Sequence, residues 1–154
     1  MKKEKMRKGF TLLELIVVMA VMSILLVISL TSLYSLNTSQ AFKQDVIAVV
    51  SALRQARALT IASYDNSQYG VHVETSRAVL FKGNSYSVSD PENVTYPLHQ
   101  FVQVNVVLTG GENDVIFQRL SGNTTQSGTI TMFPEDNSAS SVINIFSTGI
   151  IEKQ

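Results

Sequence analysis

The stretch Arg7-Lys8-Gly9-Phe10-Thr11-Leu12-Leu13-Glu14, with the apolar run from Leu15 to Leu30 behind it, leaves this chain few ways to fold. Between Leu15 and Ile28 there is no charge, and Ser23 is the only hydroxyl. A helix that is apolar on every side has no stable place in water and belongs in lipid or among other helices. Phe10 to Leu30 supplies 21 positions with Glu14 as the single charge, and about 20 are needed to cross a hydrocarbon core of ~30 Å. Ahead of it Lys2, Lys3, Lys5, Arg7 and Lys8 face one acid, Glu4, which sets the amino-terminus on the cytoplasmic side.

A cleaved signal peptide would have a shorter apolar core of roughly 7–15 residues, ending at small residues. Ser29-Leu30-Thr31-Ser32-Leu33 fits that poorly. A cut at Gly9 would instead keep the run in the mature chain, and Glu14 bears on this choice. A carboxylate deep in an apolar helix costs roughly 3 kcal/mol on insertion scales and as a rule has a partner. Cleavage after Gly9 would free the α-amino group of Phe10, four residues before Glu14 and on the same helix face. The amine of a neighbouring subunit would serve equally well. A single acid at headgroup level that sets the depth of an ordinary anchor satisfies the same sequence.

Lys8-Gly9-Phe10-Thr11-Leu12-Leu13-Glu14 resembles the class III signal of type IV pilins and pseudopilins: basic leader, glycine, phenylalanine, Thr-Leu-hydrophobic-Glu, then an apolar helix. The resemblance implies that residues 1–9 are a leader removed by prepilin peptidase, which cuts after Gly9 and methylates the new amine of Phe10. It implies that Glu14 neutralises the amine of an adjacent subunit, and that residues 10–30 form both membrane anchor and assembly helix. The expected location is the bacterial inner membrane, single-pass with the head outside the cytoplasm, then a pilus or pseudopilus built from other subunits by an assembly platform. One departure is the absence of proline between Phe10 and Leu30, where many members of that family carry one.

From Leu30 to Ser63 there is no glycine or proline. Phe42, Val46, Val49, Val50, Leu53, Ala56 and Leu59 recur in steps of three and four, the period of an amphipathic helix. Lys43, Asp45, Arg54 and Arg57 fall mainly off that stripe. If continuous, the helix from Phe10 to Ala62 is ~80 Å long at 1.5 Å per residue, too long for one crossing. Residues 31–63 therefore lay an apolar face on whatever follows.

Residues 64–154 change to period 2. Expected strands are Tyr69 to Val73, Ala78 to Lys82, Tyr86 to Val88 after a Lys82-Gly83-Asn84-Ser85 hairpin connection, Val102 to Leu108, Val115 to Gln118, Gly128 to Phe133, Val142 to Phe146 and Ile150 to Glu152. About eight short strands with short turns make an antiparallel sheet or sandwich. The fold class is thus α+β, a long amino-terminal helix packed on a carboxy-terminal antiparallel β-domain. From Gly70 to Glu152 the order of strands is similar to that of the GspH/FimT-type minor pseudopilins. There an aromatic followed by glycine, here Phe117 and Gly122, precedes the last strands, and the closing pair turns at a Ser-x-Gly, here Ser147-Thr148-Gly149.

Candidate chemistry is sparse. The chain has 154 residues, formal net charge zero and no cysteine, so thiolate chemistry and disulfides are excluded. His72 and His99 lie apart and match no catalytic or metal motif. Glu112-Asn113-Asp114 and Glu135-Asp136-Asn137 have the composition of solvated turns. No catalytic residue, metal or cofactor is expected, and the chain is not read as an enzyme. Nucleic acid is not an expected partner: Arg54, Arg57, Arg77, Lys82, Arg119 and Lys153 are scattered among acids, whereas phosphate binding needs clustered cations. A convergence of Arg77, Lys82 and Arg119 in space would change that. The reading is a minor pilin or pseudopilin of a type IV pilus or type II secretion pseudopilus. Its alternatives are a DNA-binding minor pilin and a bitopic membrane protein with a ligand-binding β-domain.

Overall fold

The computed structural model describes residues 10–154, the side chains of residues 29–37 apart. The expected leader, residues 1–9, and the expected cleavage position at Gly9 lie outside the described residues. Helix α1 spans Leu12–Ile61. Eight strands follow: β1 (Tyr69–Val73), β2 (Arg77–Lys82), β3 (Val94–Pro97), β4 (Val102–Leu108), β5 (Asp114–Ile116), β6 (Gly128–Pro134), β7 (Ser141–Ile145) and β8 (Ile151–Lys153). They form two four-stranded antiparallel sheets, β3-β2-β1-β5 and β4-β6-β7-β8. The chain divides into two compact units after Ser39.

In the first unit α1 is exposed along its described length, from Leu12 (76 % exposed) to Ile28 (61 %). No glycine or proline interrupts the helix along this stretch. Among the described residues no helix is long and apolar enough to cross a membrane. The expected span, Phe10 to Leu30, runs on into Ser29 and Leu30, whose side chains lie outside the described ones.

In the second unit the remainder of α1 and both sheets share one core. Phe42, Val46, Val49, Val50, Leu53 and Ala56 are buried as the helical period requires, and Leu59 packs partly against the same cluster. Val71, Val73 and Leu80 enter it from the first sheet; Val102, Ile130, Met132, Ile143 and Ile145 enter from the second. In β6 and β7 alternate residues are buried, as expected of half-buried strands. Asp45 departs from expectation: periodicity leaves it off the stripe, yet it is 3 % exposed. Its carboxylate accepts the backbone N–H of His99 at 2.9 Å and pairs with His99 Nδ1 at 2.9 Å, which satisfies the buried charge.

A second departure concerns the partner of β2. Tyr86 to Val88 is not a strand; the edge of β2 pairs with β3 in the register Ala78↔Tyr96 and Leu80↔Val94. Tyr86 instead stacks on His72, 4.1 Å between ring centroids, and tilts against Phe81. Aromatic contact thus takes the place of ladder bonds, and β3 tolerates Pro97 because it is an edge strand. Beneath this layer Phe81 lies over Gly70, its cross-strand partner, where a β-carbon would come within 2.5 Å of the ring. β5 ends at Ile116 rather than Gln118, since the Gln118 N–H turns away to the Asn123 carbonyl at 2.7 Å.

The exit of α1 is a left-handed turn. Ser63, Asp65 and Asn66 have φ of 50°, 49° and 54°, a region that short polar side chains tolerate best. Thr60, fully buried, fastens this exit to β1: its Oγ1 donates to the Ala56 carbonyl at 2.8 Å and accepts the Tyr69 N–H at 2.9 Å.

Candidate functional site

The amino-terminal segment is built as a helix start. Thr11 Oγ1 accepts the Glu14 backbone N–H at 3.2 Å, and the Leu15 N–H reaches the Thr11 carbonyl at 3.2 Å. Thr11 is therefore the N-cap and Glu14 the third helical residue, the spacing of a capping box. Beyond the processing signal that Thr11-Leu12-Leu13-Glu14 resembles, its Thr-x-x-Glu spacing thus carries a local structural role. The consequence is electrostatic. Glu14 stands in the first turn, where the helix dipole favours a negative charge before any other partner is supplied. Phe10 immediately precedes the cap, outside the helix and four residues before Glu14, and is 83 % exposed.

The two histidines each meet acids. On the outer face of the first sheet His72 Nδ1 pairs with Asp114 Oδ1 on β5, and Nε2 lies 3.2 Å from Glu74 Oε1. Arg77 closes the cluster with two hydrogen bonds to Glu74, at 2.9 and 3.2 Å. They hold the Glu74 carboxyl below the usual glutamate range, while burial opposes and His72 assists the shift. These contacts occupy the polar atoms with one another. Among the described residues no group of three or more His, Cys, Asp or Glu side chains is placed to hold a metal ion. Of the acidic turns, Asp114 is engaged by His72; hydrogen bonding from the Ser138 side chain, and then from its N–H at 3.0 Å, keeps the Asp136 carboxyl below the usual range.

Two of the scattered cations, Lys82 and Arg119, meet adjacent residues of the α1 exit, Asp65 and Asn66. Arg77 and Lys82 stand at opposite ends of β2. Lys82 pairs with Asp65 and Glu92, each at 3.2 Å, and Arg119 donates to the Asn66 carbonyl at 2.9 Å. Arg77, at the far end of β2 and bound to Glu74, stands apart from Lys82 and Arg119.

The two glycine patterns, far apart in sequence, meet. A β-carbon on Gly149 would fall 1.8 Å from the Gly122 carbonyl oxygen, and the Thr124 N–H donates to the Ser147 carbonyl at 2.9 Å. The side chain that fills their junction is Arg57 from α1, whose Nε would stand 3.2 and 2.9 Å from β-carbons on Gly122 and Gly149. In the sequence Arg57 is one of several scattered charges, and only the fold brings it to the two glycines.

A capped helix with an exposed apolar amino-terminal stretch thus precedes a unit of two antiparallel sheets. Residues 5–30 match the family model described as the prokaryotic N-terminal methylation motif. No curated protein and no solved structure matches the chain. The motif supports a type IV pilin-like precursor, a structural class processed by prepilin peptidase and assembled with other pilins. The α+β order of helix and antiparallel sheets is consistent with the pilin fold.

Proposed function

We propose that the chain is a minor pilin or pseudopilin of the GspH/FimT type, a structural subunit of a type IV pilus or type II secretion pseudopilus. The observation that carries this reading is the methylation motif over residues 5–30 coinciding with a helix whose side chains are exposed from Leu12 to Ile28. Such a surface needs lipid or neighbouring helices around it. In this reading residues 1–9 are the leader, 10–30 the membrane and assembly helix in the bacterial inner membrane, 31–63 its amphipathic continuation and 64–154 the head outside the cytoplasm. Prepilin peptidase cuts after Gly9 and methylates Phe10.

Glu14 is then the register residue. Transfer from lipid to a bundle of equally apolar helices gains little hydrophobic free energy, so packing and polar pairing decide the arrangement. The carboxylate of Glu14, already favoured by the helix dipole, pairs with the Phe10 ammonium of an adjacent subunit. Glu14→Ala should be inserted and trimmed to mature size as the parent is, with Phe10 at its amino-terminus by sequencing, yet be absent from sheared filaments. Normal incorporation of the variant, or a mature chain that still begins at Met1, counts against the reading.

A further inference from the structure

An open groove of about 590 Å³ lies along the last turns of α1 beside the β7–β8 turn, with Ala58, Ile61, Ile150 and Ile151 as apolar walls and Arg54 and Arg57 at its polar side. Ile61 and Ile150 are exposed, 39 % and 49 %. Among the described residues every ion pair is made by other groups, and neither guanidinium meets a carboxylate. Arg57 is held in place by the Gly122–Gly149 junction. Its Nε is buried without an acceptor, and Nη2 reaches only the Thr148 carbonyl at 3.5 Å.

With Nε enclosed at the glycine junction, the guanidinium is fixed in place, and an anion in the groove would meet its terminal nitrogens. Arg54, three residues earlier on the same helix face, adds a like charge. Two guanidinium groups beside an apolar wall match a carboxylate flanked by apolar side chains, which can accept paired hydrogen bonds while its neighbours cover the isoleucines. A nucleic-acid backbone fits less well: it presents a row of phosphates and no apolar partner for Ile61 and Ile150, and Arg77, Lys82 and Arg119 are engaged elsewhere.

We infer that this groove is a docking site for a glutamate- or aspartate-bearing, apolar-flanked segment of another protein. Naming that protein as a fellow filament subunit rests on the proposed function; the groove chemistry does not. The full-length chain in detergent micelles, titrated with a fluorescent peptide of alternating leucine and glutamate, should bind it at least tenfold more tightly than the leucine and glutamine counterpart, and less tightly as salt is raised. Arg54→Gln and Arg57→Lys should each lower the affinity fivefold or more, the exposed Arg54 position reporting even if the Arg57 variant is poorly folded. The Nε–H resonance of Arg57 should move on addition of the acidic peptide. Equal binding of both peptides, unchanged affinity in Arg54→Gln, or tighter binding of a single-stranded oligonucleotide overturns the inference. Unassembled chain is used, so the outcome is independent of cleavage at Gly9 and of incorporation through Glu14.

Discussion

Gly149 has φ of 72° and backs directly onto the Gly122 carbonyl, so a side chain there meets both backbone strain and a steric clash. Gly149→Ala should lower stability by on the order of 3 kcal/mol, read as a shift in the denaturant midpoint; an unchanged midpoint would show that the two loops part without cost. A milder effect belongs to Glu74. Its carboxyl is depressed in the folded state, chiefly by hydrogen bonding from Arg77. A depressed carboxyl contributes stability that is present above the ordinary glutamate range and lost as pH falls through the folded value. Arg77→Gln should therefore be less stable than the parent at neutral pH, with the difference closing in acid. A constant difference across pH 2–7 on thermal melts would assign the role of Arg77 to packing alone. Sequence showed these residues only as turn and strand types, because neither the Gly122–Gly149 contact nor the Glu74–Arg77 pair is fixed by periodicity.

At the scale of elements, the apolar stripe of α1 was readable because helix period and burial coincide from Phe42 to Ala56. Asp45 broke the pattern, since only the fold brings His99 to it across 54 positions. Asp45→Ala leaves the His99 N–H without its acceptor and should cost about 1–3 kcal/mol. Asp45→Asn, which keeps an acceptor oxygen, should recover part of that in the same urea titration, and equal losses in both variants would point to charge rather than hydrogen bonding. The strands of the second sheet were readable from alternation, whereas β3 was not. Val94-Thr95-Tyr96-Pro97 is short and ends in proline, and its exposed positions carry little burial signal.

For the whole molecule, the two compact units have opposite surfaces. Residues 40–154 enclose a core in which Val49, Val71, Phe117, Ile130 and Ile143 are fully buried, while the described part of the other unit exposes its apolar side chains. The fragment Gln40–Gln154 should accordingly unfold in one cooperative thermal transition and remain monomeric in aqueous buffer by sedimentation. The full chain should need detergent. A molten, aggregating fragment would mean that the core depends on the residues removed.

The sequence by itself determined the amino-terminal signal, the helix over most of its length, the α+β order and the strands that alternate cleanly. Each of these is written in neighbouring residues: the signal motif, periods of 3.6 and 2, and turn formers. Tertiary structure decided what long-range contact decides. It chose β3 over Tyr86 to Val88 as the partner of β2, set Asp45 against His99 and His72 between two acids, and enclosed Arg57 between glycines 27 positions apart. Those choices follow from which backbone edges and buried charges meet in space, and no local pattern encodes them.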